Sequence, residues 1–342
     1  MGGLALTERQ LEVLLAVIYE YLSTGEPVGS RAVVRKYIKW ASPATVRNEM
    51  ADLESMGYFY QPHASAGRVP TEKAYRLYVD QILRRRRPLR EEGWEGLFRD
   101  LLVCREDLEE RLKQVTQMLG RLTSCVGLSG LSATGESRLE ALDFMRMEDG
   151  SVMLVLVMGG GFLARKRFKP PREISEGELA QISSELSALF VGRPWSEVSR
   201  SLGSYLQRQL ELYRSACETV ESFLSEDCGR MRLFFGGTSN ILKVPEMSDL
   251  ARLQVVLELL EEGSRLSRLL EELSGEGDLK VLIGSDIPIE GMQDLSVITA
   301  SCTVEGLRIV LGVLGPKRMD YERAVLVLER ALSAMKEGRE GA

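Results

Sequence analysis

Leu11, Leu14, Leu15, Ile18 and Leu22 recur at helical spacing just after Thr7 and Gln10. A threonine followed three residues later by glutamine forms a capping box, so the pattern predicts a helix opening at Thr7 and closing at Gly25. Pro27-Val28-Gly29-Ser30 reads as a turn with Ser30 as the next N-cap, followed by a short helix carrying Ala32, Val33, Val34 and Tyr37. Ser42-Pro43 pairs an N-cap with proline at the first helical position, which predicts a third helix running to about Met56 and stopped by Gly57. Val46, Met50 and Leu53 share its inward face, leaving Ala44, Thr45, Arg47 and Asn48 turned outward. Tyr58 to Pro62 reads as a strand and His63 to Arg68 as a turn of small residues. Val69-Pro70 then leads to Thr71, which caps a fourth helix containing Tyr75, Leu77, Tyr78, Val79 and Ile82. Short capped helices on a tight link, followed by a hairpin, make a winged helix-turn-helix.

Beyond residue 88 the pattern changes. Leu101, Leu108, Leu112, Val115, Leu119 and Leu122 predict one long helix from about Leu97 to Val126. Its near-heptad stripe can pack on the body's own sheet or pair with a second chain. Strands are expected at Leu139–Met147, Ser151–Met158 and Phe162–Lys169, with Gly159-Gly160-Gly161 as a hairpin turn rather than a phosphate loop. Pro170-Pro171 breaks the pattern. Helices follow at about 176–191, 194–202 and 203–227, a strand at Met231–Phe235, and helices at 248–261 and 264–273. Strands at Leu279–Ile283, Leu295–Val304 and Leu307–Leu314 and a helix at Tyr321–Lys336 complete an α+β body.

Charge sharpens the division. Residues 1–90 carry 14 basic and 9 acidic side chains, whereas residues 91–342 carry 30 and 41. A basic head on an acidic body is the electrostatic footprint of nucleic-acid binding confined to one domain. The run Arg84–Arg87 before Pro88 marks the boundary, as phosphate contacts or as a solvated helix end. No apolar run reaches the ~18 residues of a membrane span, and no basic-then-apolar leader opens the chain, so a cytoplasmic protein without membrane partners is expected.

The chemistry available is narrow. His63 is the only histidine, so no multi-histidine metal site and no second catalytic histidine can be built within the chain. The five cysteines form no C-x-x-C pair, which argues against zinc ribbons and dithiol redox motifs. The expectation is no metal, no cofactor and no enzymatic activity. The candidate DNA-contacting set is Ser30 and Arg31 at the second helix, Ser42, Ala44, Thr45, Arg47 and Asn48 at the third, and His63, Ser65, Ala66, Gly67 and Arg68 on the wing. The first turns of a recognition helix enter the major groove, where arginine bonds guanine and asparagine bonds adenine. Small residues at a wing tip let backbone approach phosphate, and Arg68 is placed to enter a narrow minor groove.

An ordered set of motifs adds a family. Leu6-Thr7-Glu8-Arg9-Gln10, Pro27-Val28-Gly29-Ser30, Ser42-Pro43-Ala44-Thr45-Val46-Arg47-Asn48-Glu49-Met50, Leu53-Glu54, Gly57-Tyr58, His63-Ala64-Ser65-Ala66-Gly67-Arg68 with Pro70-Thr71, and Tyr75-Arg76-Leu77-Tyr78-Val79-Asp80 lie in the head. Gly236-Gly237-Thr238-Ser239-Asn240-Ile241-Leu242 with Pro245-Glu246, Leu295-Ser296-Val297-Ile298, and Gly312 to Tyr321 lie in the body. Together they resemble the heat-inducible transcription repressor HrcA family of bacteria. The sequence departs from that pattern at Ile283–Ile287, which lacks the usual asparagine, and at Ser301-Cys302, where a tyrosine is usual. The resemblance implies a GAF-like body interrupted by an inserted dimerisation domain. The expected division is 1–88 for the head, 89–169 with 246–342 for the GAF-like domain, and 170–245 for the insert. It further implies a homodimer on an inverted-repeat operator upstream of chaperone genes, located on the nucleoid when bound, and the chaperonin GroEL as the partner that keeps the repressor active. The alternative is a DNA-binding regulator whose GAF-like body senses a small molecule.

Overall fold

The computed structural model describes residues 6–85, 108–170, 173–208, 231–243, 250–275, 279–304 and 306–337. The head comprises α1 (Glu8–Thr24), α2 (Ser30–Lys36), α3 (Pro43–Ser55), the two-stranded wing β1 (Phe59–Tyr60) and β2 (Val69–Pro70), and α4 (Glu72–Arg85). The Thr7–Gln10 capping box forms in full, and Gly25 ends α1 in the left-handed region. Ser42 caps α3 by accepting from the Thr45 amide at 3.1 Å. The hydroxyl of Thr71, expected to cap α4, instead donates to the Gly57 and Tyr58 carbonyls, tying the far side of the wing to the end of α3. Val13, Leu14, Val17, Ile18, Val33, Val46 and Leu53 form a fully buried core, each side chain contributing roughly 1.5–3 kcal/mol.

The body is built on a five-stranded antiparallel sheet of β3 (Val126–Ala133), β7 (Arg232–Gly236), β8 (Lys280–Ile283), β9 (Leu295–Val304) and β10 (Leu307–Pro316). Its spatial order is β7-β3-β10-β9-β8, so the earliest strand pairs with the last, Val126 opposite Leu314. On one face lie α5 (Leu108–Thr123), against β3 and β7, and α10 (Tyr321–Glu337), against β9 and β10. The other face packs Val126, Leu128, Val297 and Leu314 against Val256, Leu259, Leu266 and Leu269 of α8 (Leu250–Glu262) and α9 (Ser264–Leu273).

A second sheet is the meander β4 (Leu139–Arg146), β5 (Val152–Met158) and β6 (Phe162–Phe168), with α6 (Glu176–Phe190) packed on β4 and α7 (Trp195–Arg208) following. These elements lie in the chain between β3 and β7. The interruption of the main sheet therefore begins before residue 139, not at residue 170. Within the expected 170–245 span, β7 is an edge strand of the main sheet. Pro170 follows directly on β6, the last strand of this meander, and Pro171 lies outside the described residues. The expected helix to Val126 also stops at Thr123, and β3, unforeseen as a strand, begins after Ser124 with φ of 55°. The predicted break at residue 202 is absent, since α7 continues through Gly203. Expected helical residues 97–107 and 209–227, along with Arg86 and Arg87, lie outside the described residues.

The near-heptad stripe packs inward: Leu112, Val115 and Leu119 are completely buried against the body's own sheet. Three glycines set that contact. A Cβ on Gly127 would overlap the Thr116 carbonyl oxygen, one on Gly236 would stand 2.5 Å from the same atom, and one on Gly120 would stand 2.7 Å from the Gly236 carbonyl oxygen. The backbones of α5, β3 and β7 are in near contact there. Cys125 and Cys302 are buried thiols, both pushed up to about 11 by desolvation.

Head and body meet through α4, which lies against β8 and α10. A chain of tyrosine rings crosses the contact: Tyr37 to Tyr19 at 6.5 Å, Tyr19 to Tyr78 at 5.5 Å, and Tyr78 to Tyr321 at 6.2 Å. The Tyr19 hydroxyl donates to Glu322 at 3.0 Å, and the Tyr321 hydroxyl donates to the Lys317 carbonyl at 2.8 Å.

Candidate nucleic-acid interface

The α3 periodicity sorts its side chains as the sequence requires. Val46, Met50 and Leu53 are buried, while Ala44, Thr45, Arg47 and Asn48 are exposed on the first two turns. Ser42 and Thr45 are engaged with each other, their hydroxyl oxygens 3.0 Å apart, so both hydroxyls serve the cap first. Arg31 and Arg35 stand exposed one turn apart on α2. Among the described residues, none of Arg31, Arg35 and Arg47 is ion-paired, so these exposed cations of α2 and α3 are open to phosphate or base edges. Arg35 was absent from the expected set; its i, i+4 spacing from Arg31 was the available signal.

The wing is internally braced. Gln61 Nε2 donates to the Ala64 carbonyl at 3.0 Å and the Ala66 carbonyl at 2.8 Å, and the Ala66 amide closes a turn onto the His63 carbonyl at 2.8 Å. His63 Nδ1 lies 3.2 Å from the Ser65 hydroxyl, with both side chains exposed at the tip. Gln61 was not foreseen, because its role depends on the folded turn. Between the wing, α3 and the start of α2 runs a cleft of about 490 Å³ lined by Gly29, Ser30, Arg47, Gln61, Ser65 and Gly67. Ser30 is buried at its floor.

Two wing residues make contacts within the head that the sequence does not announce. The Arg68 guanidinium pairs with Glu54 at 2.8 Å, its side chain only 15% exposed, and its backbone pairs with Val28 in both directions at 2.9 and 2.8 Å. It joins the wing to α3 and to the α1–α2 turn, so in this conformation its guanidinium is held by Glu54. Gly67 permits that junction, because a Cβ there would stand 2.5 Å from the Val28 carbonyl oxygen and 2.6 Å from the Pro27 carbonyl carbon. Replacing Gly67 with alanine is therefore expected to pry the wing from the α1–α2 turn and cost about 1–3 kcal/mol of head stability. Hydrogen exchange should show the Val28 and Arg68 amides losing protection before those of the α1 core.

Residues 5–82 match the family described as winged helix-turn-helix transcription repressor, HrcA DNA-binding. Residues 109–325 match the HrcA protein C terminal domain. The chain belongs to the HrcA family. A protein of Pelotomaculum thermopropionicum named heat-inducible transcription repressor HrcA is 33% identical, the match covering 95% of this chain and 94% of that one. Its namesake in Moorella thermoacetica is 34% identical, with 96% of each chain covered. A crystal structure at 2.2 Å, described as that of a hypothetical protein, shares 25% identity and a TM-score of 0.63 over 98% of both chains. The HrcA head thus places an exposed, cation-bearing helix face beside a braced wing. Among the described residues no helix is long and apolar enough to cross a membrane.

Proposed function

We propose that this HrcA-family chain is a heat-inducible transcription repressor that binds an inverted-repeat operator as a homodimer. The observation that carries the reading is the exposed α3 face of Ala44, Thr45, Arg47 and Asn48, set beside the wing in a chain similar over nearly its full length to named repressors. Arg47 and Asn48 supply direct base readout, while Arg31, Arg35 and the wing tip supply phosphate contacts. A two-fold protein presents two such helices to two inverted half-sites. The body, read as GAF-like, carries the dimer contacts through the unit inserted between β3 and β7. The operators precede chaperone genes, and the chaperonin GroEL maintains the active fraction. Heat diverts the chaperonin to unfolded proteins, active repressor falls, and the genes open. A change of one or two kcal/mol in stability is enough to alter the active fraction several-fold.

The test is fluorescence anisotropy with an inverted repeat recovered by the protein from a randomised duplex pool, compared with its scrambled form across salt. Specific binding about 10³-fold or more tighter than to the scrambled duplex supports the reading, as does a steep salt slope. Equal binding to both duplexes overturns it. Recovery of operator-binding protein after a heat pulse separates the chaperonin step: full recovery without chaperonin argues against GroEL dependence.

A further inference from the structure

Away from the reading face, five charged groups gather where α4 meets the body. Glu72, the first residue of α4, accepts from the Ser285 hydroxyl at 2.7 Å, from the Ser285 amide at 3.3 Å and from Lys317 Nζ at 3.3 Å. Lys317 also pairs with Asp294 at 3.3 Å. One turn along α4, Arg76 pairs with Asp286 at 2.7 Å, donates to the Ser285 hydroxyl at 3.2 Å and stands 3.7 Å from Glu72. The Glu72 carboxylate seats against Gly284, where any Cβ would overlap it. Partial burial pushes this carboxyl up, but the Ser285 bonds and Lys317 outweigh burial and hold it below the ordinary glutamate value.

None of these groups belongs to the reading helix or the wing tip. Yet Glu72 lies two residues after β2, at the point where the wing gives way to the helix that meets the body. Whatever fixes Glu72 also fixes the angle of the whole head, and the tyrosine rings beside it add a second line of contact.

We propose that Glu72 is a positioning residue for operator recognition: by seating on Ser285 and Lys317 it sets the angle of the head on the body, and so the half-site spacing a dimer accepts. The inference rests on the homodimer and inverted-repeat reading above. A rigidly held pair of heads engages two half-sites together only when their separation and helical phase match. Loosely held heads accept several spacings but gain less from the second site.

The experiment uses full-length protein and three kinds of duplex. One carries a single half-site from the selected operator, one carries both half-sites at the selected spacing, and a third series inserts one to five base pairs between them. Wild-type protein should bind the selected spacing best and lose about 10- to 100-fold when the sites are moved half a turn apart. Glu72→Ala and Lys317→Ala should keep single-site affinity within about twofold, lose most of the two-site gain and respond weakly to spacing. Glu72→Gln, which can still accept from Ser285 but has no charge to attract Lys317, should fall between. A Glu72→Ala protein with the wild-type spacing profile overturns the proposal. So does a loss of single-site binding equal to the loss of two-site binding in both the alanine and glutamine variants, because that marks damage to the head itself. If wild-type protein gains nothing from a second half-site, the dimeric-operator reading fails first and takes this proposal with it.

Discussion

Replacing Arg47 and Asn48 together with alanine is expected to lower affinity for the selected operator by at least about 30-fold while leaving the thermal midpoint unchanged. Each residue can make one bidentate base contact, and each such contact discriminates by about 1–3 kcal/mol. Both side chains are exposed and neither enters the head core, so the folded state loses little when they go. Affinity for scrambled duplex should fall much less, because Asn48 carries no charge and Arg31 and Arg35 remain. Arg35→Ala provides the contrast: a uniform loss across sequences, with the salt slope reduced by about one. Anisotropy titrations on matched and scrambled duplexes distinguish the two outcomes. If the double variant keeps wild-type discrimination between matched and scrambled duplexes, α3 is not the reading helix.

Gly127→Ala is expected to be the most damaging single methyl group in the body. Its Cβ would overlap the Thr116 carbonyl oxygen and stand 3.0 Å from the Gly120 amide nitrogen, and both are helix backbone with no rotamer to yield. Helix α5 would have to lift off β3, opening space around Leu112, Val115 and Leu119, all completely buried. Overpacking of this kind costs about 1–3 kcal/mol, and here the cost belongs at the upper end. Urea unfolding followed by far-ultraviolet circular dichroism, compared with Gly177→Ala at an open position on α6, reads the effect. Gly177, like Gly127, has no left-handed φ, and a Cβ there meets nothing within 4 Å, so it takes the same change of residue without the collision. Equal losses for the two variants would show that the close approach of α5 contributes nothing.

The head was legible in the sequence because its signals are local. The Thr7 and Ser42 caps, Gly25 and the Val46–Met50–Leu53 face each fix one element within a few residues. What the sequence did not disclose depends on pairs far apart in the chain. Arg68 carries no local sign that Glu54 is its partner, and Gly67 looks like a flexible tip until Val28 is found against it. In the body, β3 was missed because Val126-Gly-Leu-Ser-Gly-Leu-Ser-Ala has little β-branched or alternating character. Its glycines and Ser129 are small because α5 and Met231 press on them, and that reason is visible only in three dimensions. Pro170 is a strong local signal that stands just after the end of β6, but it says nothing of which sheet that strand belongs to.

The pairing of β3 with β10 carries a further consequence, for how the chain is made. Val126 and Leu314 are partners 188 positions apart, and this central pairing joins β7 and β3 to β8 and β9. During synthesis, at about 5–20 residues per second, the winged head can close early on contacts that are short in sequence, whereas the body sheet cannot be completed until its last strand has been made. For that interval β3 can hold α5 and β7, but its other edge has no partner. Loop-closure entropy then opposes the final step, so the body should be the slower of the two units to mature and the one most exposed to aggregation. Newly made protein would pass through a stage in which a finished DNA-reading head is attached to an unfinished frame.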